Sequence, residues 1–191
     1  AKAPSGGVST TIYDAVSNVV GTIDPVGNRT TFVLDALDRR TQTIDARGGV
    51  VTVLYDAVSN NTAIVDPVGN RNTMVYDALN RMTERIDPLG NSGTMAYDAA
   101  DRLTSKTDRN GRRMDYTYDA IDRETGETWI ASNGSTVDNR ITFTYDPNDN
   151  VLTAADSDGA YTFTYDALDR TATQKDVFGL TLTFGYDATS N

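Results

Sequence analysis

The dipeptide Tyr-Asp recurs along the chain at Tyr13, Tyr55, Tyr76, Tyr97, Tyr118, Tyr145, Tyr165 and Tyr186, and Leu34-Asp35 fills the one vacant place. Successive copies lie 21 residues apart, except for 27 between Tyr118 and Tyr145 and 20 between Tyr145 and Tyr165. A period held this closely constrains the fold more than composition does, because each unit is one supersecondary element that buries apolar surface only against its neighbours. The 191 residues divide into a leading segment, 1–10, and nine tandem units over 11–191, with an enlarged hairpin at about 129–139 inside the long interval.

Within each unit the segment leading into Tyr alternates with period two. In eight units the residue two before Tyr, or before Leu34 in its place, is Phe32, Val53, Met74, Met95, Tyr116, Phe143, Phe163 or Phe184, and in seven of these eight the residue three before is Thr, from Thr31 to Thr183. Tyr and its apolar partner therefore share one face of a strand while Thr occupies the other, in residue types that suit a pleated surface. The return segments, Val19 to Ile23, Asn61 to Val65 and Met82 to Ile86, carry a weaker signal of the same kind.

Two turns close each unit. Asp24-Pro25-Val26-Gly27-Asn28, Asp66-Pro67-Val68-Gly69-Asn70 and Asp87-Pro88-Leu89-Gly90-Asn91 place Pro where its fixed φ suits a turn, and Gly where φ turns positive. In the other turn the fourth residue after Tyr is Ser17, Asp38, Ser59, Asn80, Asp101, Asp122, Asp149, Asp169 or Ser190, mostly types that tolerate the left-handed region. Two strands of about five or six residues per unit follow, and Asn133-Gly134 signals an additional hairpin turn in the long interval. Eighteen strands exceed the roughly ten that an open twisted sheet holds without curling. The expected fold is all-β, one continuous antiparallel sheet of 21-residue hairpins that spirals into a shell, tube or fibre. The likeness of the units at Tyr13 and Tyr55 also allows 42-residue propeller blades.

Composition removes several functions. With no Cys and no His the chain has no thiol nucleophile, no imidazole base and no thiolate or imidazole metal site. A net charge of −10 opposes binding to nucleic acid, whose affinity comes from Lys and Arg displacing counterions. The apolar runs are too short for a membrane-spanning helix, so no membrane insertion is expected. Carboxylates are abundant but nothing in the sequence distinguishes one pair as catalytic, so no enzyme activity and no cofactor or metal is expected.

The nine Tyr-Asp units, with YDAVSN from Tyr13, YDALNR from Tyr76 and YDALDR from Tyr165, resemble the YD-repeat or RHS-repeat family. That family includes RHS polymorphic toxins, cocoon subunits of Tc toxins, wall-associated proteins and teneurins. The resemblance covers Thr11 to Asn191 and implies hairpins laid side by side in a spiralling sheet that builds a hollow shell, around a toxic cargo in some members and with carbohydrate binding in others. The family's usual Gly in Tyr-Asp-x-x-Gly-Arg is replaced here by Asp, Asn or Ser. The eight repeated Tyr residues are expected to form a structural ladder. Trp129 and Tyr161 are the candidate ligand-binding aromatics, with Trp129 standing where other units place the turn Asp. Asn28, Asn60 and Asn133 lie in Asn-x-Ser/Thr sequons and are candidate glycosylation sites. The chain begins near a repeat boundary and stops inside a turn at Ser190-Asn191, so continuation into a longer polypeptide or another copy is expected. The expected function is a wall segment of a long secreted or cell-surface protein. A toxin cocoon and a carbohydrate- or cell-surface-binding module are the alternatives. The partners would be other copies or further repeats of the same protein, enclosed cargo or polysaccharide.

Overall fold

A computed structural model describes residues 7–187. No helix occurs among them, and the strands are assigned to one 17-stranded antiparallel sheet. The chain divides into two compact units, 1–92 and 93–191. The first contains β1 (Thr10–Tyr13), β2 (Val19–Ile23), β3 (Arg29–Leu34), β4 (Arg40–Ile44), β5 (Val50–Tyr55), β6 (Asn61–Val65), β7 (Arg71–Tyr76) and β8 (Met82–Ile86). The second contains β9 (Ser92–Tyr97), β10 (Leu103–Thr107), β11 (Arg113–Tyr118), β12 (Glu124–Ile130), β13 (Val137–Tyr145), β14 (Val151–Asp156), β15 (Gly159–Tyr165), β16 (Thr171–Lys175) and β17 (Thr181–Thr183). Any return strand after Tyr186, together with Ser190, falls outside the described residues.

In each unit every strand pairs with the next in sequence, both inside a hairpin and from one hairpin to its successor, as β3 with β4 and β4 with β5. This unbroken meander excludes propeller blades, which would interrupt the pairing at every fourth strand. Each unit is a single layer: strands touch only their sequence neighbours. Ala63 and Ile130 are the only buried apolar side chains among the described residues. The face bearing Tyr, Phe and Met is half-buried by its own neighbours, and the opposite face is rich in Thr.

The two kinds of turn share one backbone plan. At Asp14 the carbonyl accepts from Ser17 N–H at 3.2 Å and the Asp14 N–H donates to Asn18 O at 2.9 Å, and Asp24 does the same with Gly27 and Asn28 at 3.0 Å each. This is a type I turn closed by a left-handed residue. Sequence placed both left-handed positions correctly: φ lies between 58° and 74° at Ser17, Asp38, Ser59, Asn80, Asp101, Asp122, Asp149 and Asp169, and is 91° at Gly27.

The Tyr-side turn carries an additional feature. Just beyond it the return strand holds a β-bulge in every hairpin whose two strands are described, as between Thr117 and Tyr118, where Tyr118 faces Glu124 while Thr117 faces Gly126. One residue is skipped, so residues three apart on the return strand come to the same face.

Candidate functional site

The Tyr-side edge is where the repeated side chains converge. Each turn Asp accepts two backbone N–H groups on one oxygen: Asp119 Oδ1 takes those of Ile121 and Arg123, both at 3.0 Å. Its other oxygen takes the side chain four residues on, Arg123 Nε at 2.7 Å. Asn plays that part in other units, with Asn60 Nδ2 donating to Asp56 Oδ2 at 2.8 Å. These carboxylates are held below the usual range. In Asp35, Asp77, Asp98 and Asp166, and in Asp108 of the opposite turn, the largest cause is the hydrogen bond from the Arg four residues later. In Asp119 burial is the largest influence and pushes upward, and the bonds from Arg123 outweigh it.

The same Arg and Asn side chains reach forward to the next repeat. Asn18 Nδ2 donates to Asp38 Oδ1 at 2.8 Å, Arg39 Nη1 to Ser59 Oγ at 2.9 Å, and Asn60 Nδ2 to Asn80 Oδ1 at 2.9 Å. In the second unit Arg102 Nη1 meets Asp122 Oδ1 at 2.8 Å, Arg123 Nη1 meets Asp149 Oδ1 at 2.9 Å and Asn150 Nδ2 meets Asp169 Oδ1 at 2.9 Å. Every acceptor in this relay is the left-handed residue of the following turn. Glycine would suit that φ but offers no acceptor, which accounts for Asp, Asn and Ser here. Asp122→Gly should accordingly leave stability within about 1 kcal/mol, because relief of the backbone offsets an exposed ion pair. Asp122→Val should lower it by about 2 kcal/mol, since it removes the acceptor and forces a β-branched residue to positive φ. Urea midpoints of the two variants check this, and a Val variant as stable as the parent would contradict it.

Tyr completes the link. The ladder between successive hairpins stops before the Tyr-side edge, as at Gln42 opposite Thr52, and the strands part beyond it. Across the opening Tyr55 Oη donates to Arg40 O at 3.1 Å, and Tyr76 to Asn61 O at 3.0 Å. Tyr118 donates to Leu103 O at 2.8 Å, Tyr145 to Glu124 O at 2.6 Å, Tyr165 to Val151 O at 2.9 Å and Tyr186 to Thr171 O at 2.9 Å. Each ring thus replaces the missing backbone bonds, and Arg stacks on several of them, with Arg123 4.7 Å from the Tyr145 centroid. Tyr97 lies on the same face, its hydroxyl 3.8 Å from Met95 Sδ. Tyr13, with no described repeat before it, is 58% exposed, and Leu34 cannot make the bond.

The long hairpin departs from this plan. Its turn is made by Asn133-Gly134, whose Asn133 Oδ1 accepts from Ser135 and Thr136 N–H at 3.0 and 2.9 Å. Trp129 therefore stays inside β12, opposite Met114 and Asn139, 41% exposed, and its Nε1 donates to Glu127 at 2.8 Å. A cavity of about 420 Å³ beside it is lined by Lys106, Arg112, Arg113, Met114, Trp129 and Asp138, among others. Tyr161 lies on β15 opposite Ala154, three strands away from β12, so the two candidate aromatics are not brought into one site. Of the sequon residues, Asn28 and Asn60 spend their amide nitrogens on Asp24 and Asp56, and Asn133 stands exposed at the hairpin turn.

Sequence reasoning overlooked Glu124. It occupies the place held by Val19, Met82, Leu103 and Val151 in other units, on the ring-bearing face between Tyr118 and Tyr145. Burial pushes its carboxyl above the usual range, and the neighbouring charge of Glu127 adds to this. Glu124 Oε1 is enclosed without a hydrogen-bond partner, and so is Asn61 Oδ1 at the equivalent position. The bulge makes the pair: without it, residues 124 and 127 would face opposite sides of the sheet.

The model of the RHS Repeat family matches residues 13–50, 55–92 and 97–128, more than half of the chain. The chain belongs to the RHS repeat family. No curated protein matches it. Among solved structures, these RHS repeats are similar to TcdB2-TccC3, with a TM-score of 0.59 at 15% identity over 88% of this chain and 9% of that one. The complex of TcdB2-TccC3 with Cdc42 gives 0.60 at 15% identity over the same shares. The Photorhabdus luminescens Tc holotoxin pore gives 0.57 at 13% identity over 91% of this chain and 13% of that one. At these identities the likeness is one of fold. The RHS repeats here span a small fraction of the chains they resemble.

Proposed function

We propose that the chain is a non-enzymatic wall segment of a longer RHS-repeat protein, secreted or held at the cell surface, whose hairpins build a shell. One observation carries this reading. The recurring groups are spent on structure: the turn Asp closes its own turn, the Arg or Asn after it bonds that Asp and reaches forward to the next repeat, and the Tyr hydroxyl bonds back to the preceding one, which leaves them no free chemistry. A shell is favoured over a fibre or tube by the fold likeness to TcdB2-TccC3. A structure of that complex without its hypervariable C-terminal region shows the same likeness, with a TM-score of 0.58. The cargo of the present protein would by analogy be a further domain of its own polypeptide. Negative-stain electron microscopy of the natural full-length protein should show closed hollow particles. Filaments, or small solid particles, would overturn the shell.

The amphipathic cavity beside Trp129 supports a second reading, in which the long hairpin binds a carbohydrate or another cell-surface group. The exposed indole offers a stacking face, and Lys106, Arg113 and Asp138 surround it with polar groups. A glycan array comparing the chain with Trp129→Ala tests it: binding lost in the variant supports the reading, and an array without signal removes it.

A further inference from the structure

Asn-Gly occurs twice in the chain, at Asn110-Gly111 and at Asn133-Gly134. In this dipeptide an asparagine is most open to attack by its own backbone, because the glycine that follows has no side chain to shield its nitrogen. Both pairs lie at hairpin turns, and their backbones match. Gly111 N–H donates to Asp108 O at 2.9 Å and Gly134 N–H to Ala131 O at 2.9 Å, with φ of 79° and 73° at the two glycines. Both asparagines are exposed. Neither backbone bonding nor access to water therefore separates them. Their side chains do. Asn133 Oδ1 accepts from Ser135 and Thr136 N–H at 3.0 and 2.9 Å, and its Nδ2 donates to Thr136 Oγ1 at 2.6 Å. The Asn133 side chain cannot turn back toward Gly134 N without breaking all three bonds. Asn110 gives its backbone N–H to Asp108 Oδ1 at 2.8 Å, and its side-chain amide has no hydrogen-bond partner among the described residues. The contrast comes from the residue that opens each turn. Asp108 already caps the N–H groups of Asn110 and Arg112, at 2.8 and 3.0 Å, whereas Ala131 has no carboxyl and Asn133 does the capping itself.

We propose that Asn110 is a site of spontaneous deamidation in the folded chain and that Asn133 is protected from it. The Gly111 nitrogen gives its proton to solvent and bonds to Asn110 Cγ. The Cγ–Nδ2 bond breaks, and Nδ2 takes a proton from solvent and leaves as ammonia. Water then opens the succinimide ring at one or other of its carbonyls, giving Asp or isoaspartate at position 110, with no oxidation or reduction. Either product adds a carboxylate to the turn, and isoaspartate also adds a methylene to its backbone. The turn has close neighbours. A Cβ placed on Gly111 would stand 3.5 Å from Ser132 Cβ, and Asp108 and Arg112, an ion pair at 2.6 Å, line the cavity beside Trp129. Conversion therefore puts a new negative charge next to two residues of that cavity. The inference rests on the two turns alone, independently of the wall reading and of what the cavity holds.

Incubation of the 191-residue chain at mildly alkaline pH, followed by peptide mass mapping and enzymatic labelling of isoaspartate, measures the two sites side by side. Residue 110 should convert at least tenfold faster than residue 133. In concentrated guanidinium chloride, where neither turn is formed, the two should convert at similar rates, so that the difference belongs to the fold and not to the dipeptide. Thr136→Val removes the acceptor of Asn133 Nδ2 at an exposed position, and should speed conversion at 133 while leaving 110 unchanged. Equal rates at the two sites in the folded chain overturn the inference. So does an Asn110 that stays an amide in the folded chain while the denatured chain converts, and so does a preference for 110 that persists undiminished in denaturant.

Discussion

Tyr145→Ala is expected to lower the stability of the second unit by about 3 kcal/mol, and Tyr145→Phe by about 1 kcal/mol. The Phe variant loses only the bond from the hydroxyl to Glu124 O, and Leu34 shows that a repeat forms without it. The Ala variant also loses the half-buried ring, the Arg123 stacking on it and the cover over the opening between hairpins. For about 190 residues these losses correspond to falls in Tm of roughly 9 °C and 3 °C. Calorimetry separates them. Equal losses in the two variants would mean that the ring contributes nothing and that the hydroxyl alone joins the repeats.

Acid should unfold the chain more sharply than its modest charge pairs suggest. Twelve Asp carboxyls are held below their ordinary value. In Asp24, Asp66 and Asp146 the Asn side chain four residues on is the largest cause, and in Asp14 and Asp156 it is a backbone N–H. In Asp56, as in Asp119, burial is largest and opposes the lowering. A carboxyl lowered on folding stabilises the native state at pH values above its unfolded value, and that contribution disappears as pH falls through the folded value. The loss therefore begins near pH 4 and deepens below it. Glu124 has the opposite sign. Its raised value penalises the folded state at neutral pH and ceases to do so once the pH drops below the ordinary glutamate range. Stability should peak between about pH 4 and 5. Glu124→Gln should raise Tm at pH 7 and have no effect at pH 3. Urea midpoints from pH 7 to pH 2 check both limbs, and a midpoint that stays constant down to pH 2 would show that the turn carboxylates are not bonded as described.

The outgoing strands and both turns were legible because each obeys a local rule. Period-two alternation runs unbroken into every Tyr, and the left-handed places announce themselves through Gly or through Asp, Asn and Ser at a fixed distance. The return strands were legible only as a weaker signal, which nevertheless placed Val19–Ile23, Asn61–Val65 and Met82–Ile86 where β2, β6 and β8 lie; their faces were not legible, because the bulge shifts their phase by one residue. Met82 and Arg85 share a face at a spacing of three, so no two-residue template registers them. The same shift hid the proximity of Glu124 and Glu127, which a simple strand would separate. Trp129 was noticed for standing in the place of a turn Asp, yet its position within β12 depends on Asn133-Gly134 taking over the turn further along. The Tyr hydroxyl bonds span 14 to 21 residues, 15 from Tyr76 to Asn61 for example, and only the parting of the strands makes them necessary.

Residue-resolved amide hydrogen exchange tests the central claim, that each hairpin is locked at its Tyr-side turn and clipped there to the next. The account predicts protection of the third and fifth residues after Tyr, such as Leu79 and Arg81, whose N–H groups donate to Asp77 Oδ1, in phase with the strands and repeating with the 21-residue period. Turn amides that exchange as fast as those of an unfolded chain, or protection without that period, would contradict it.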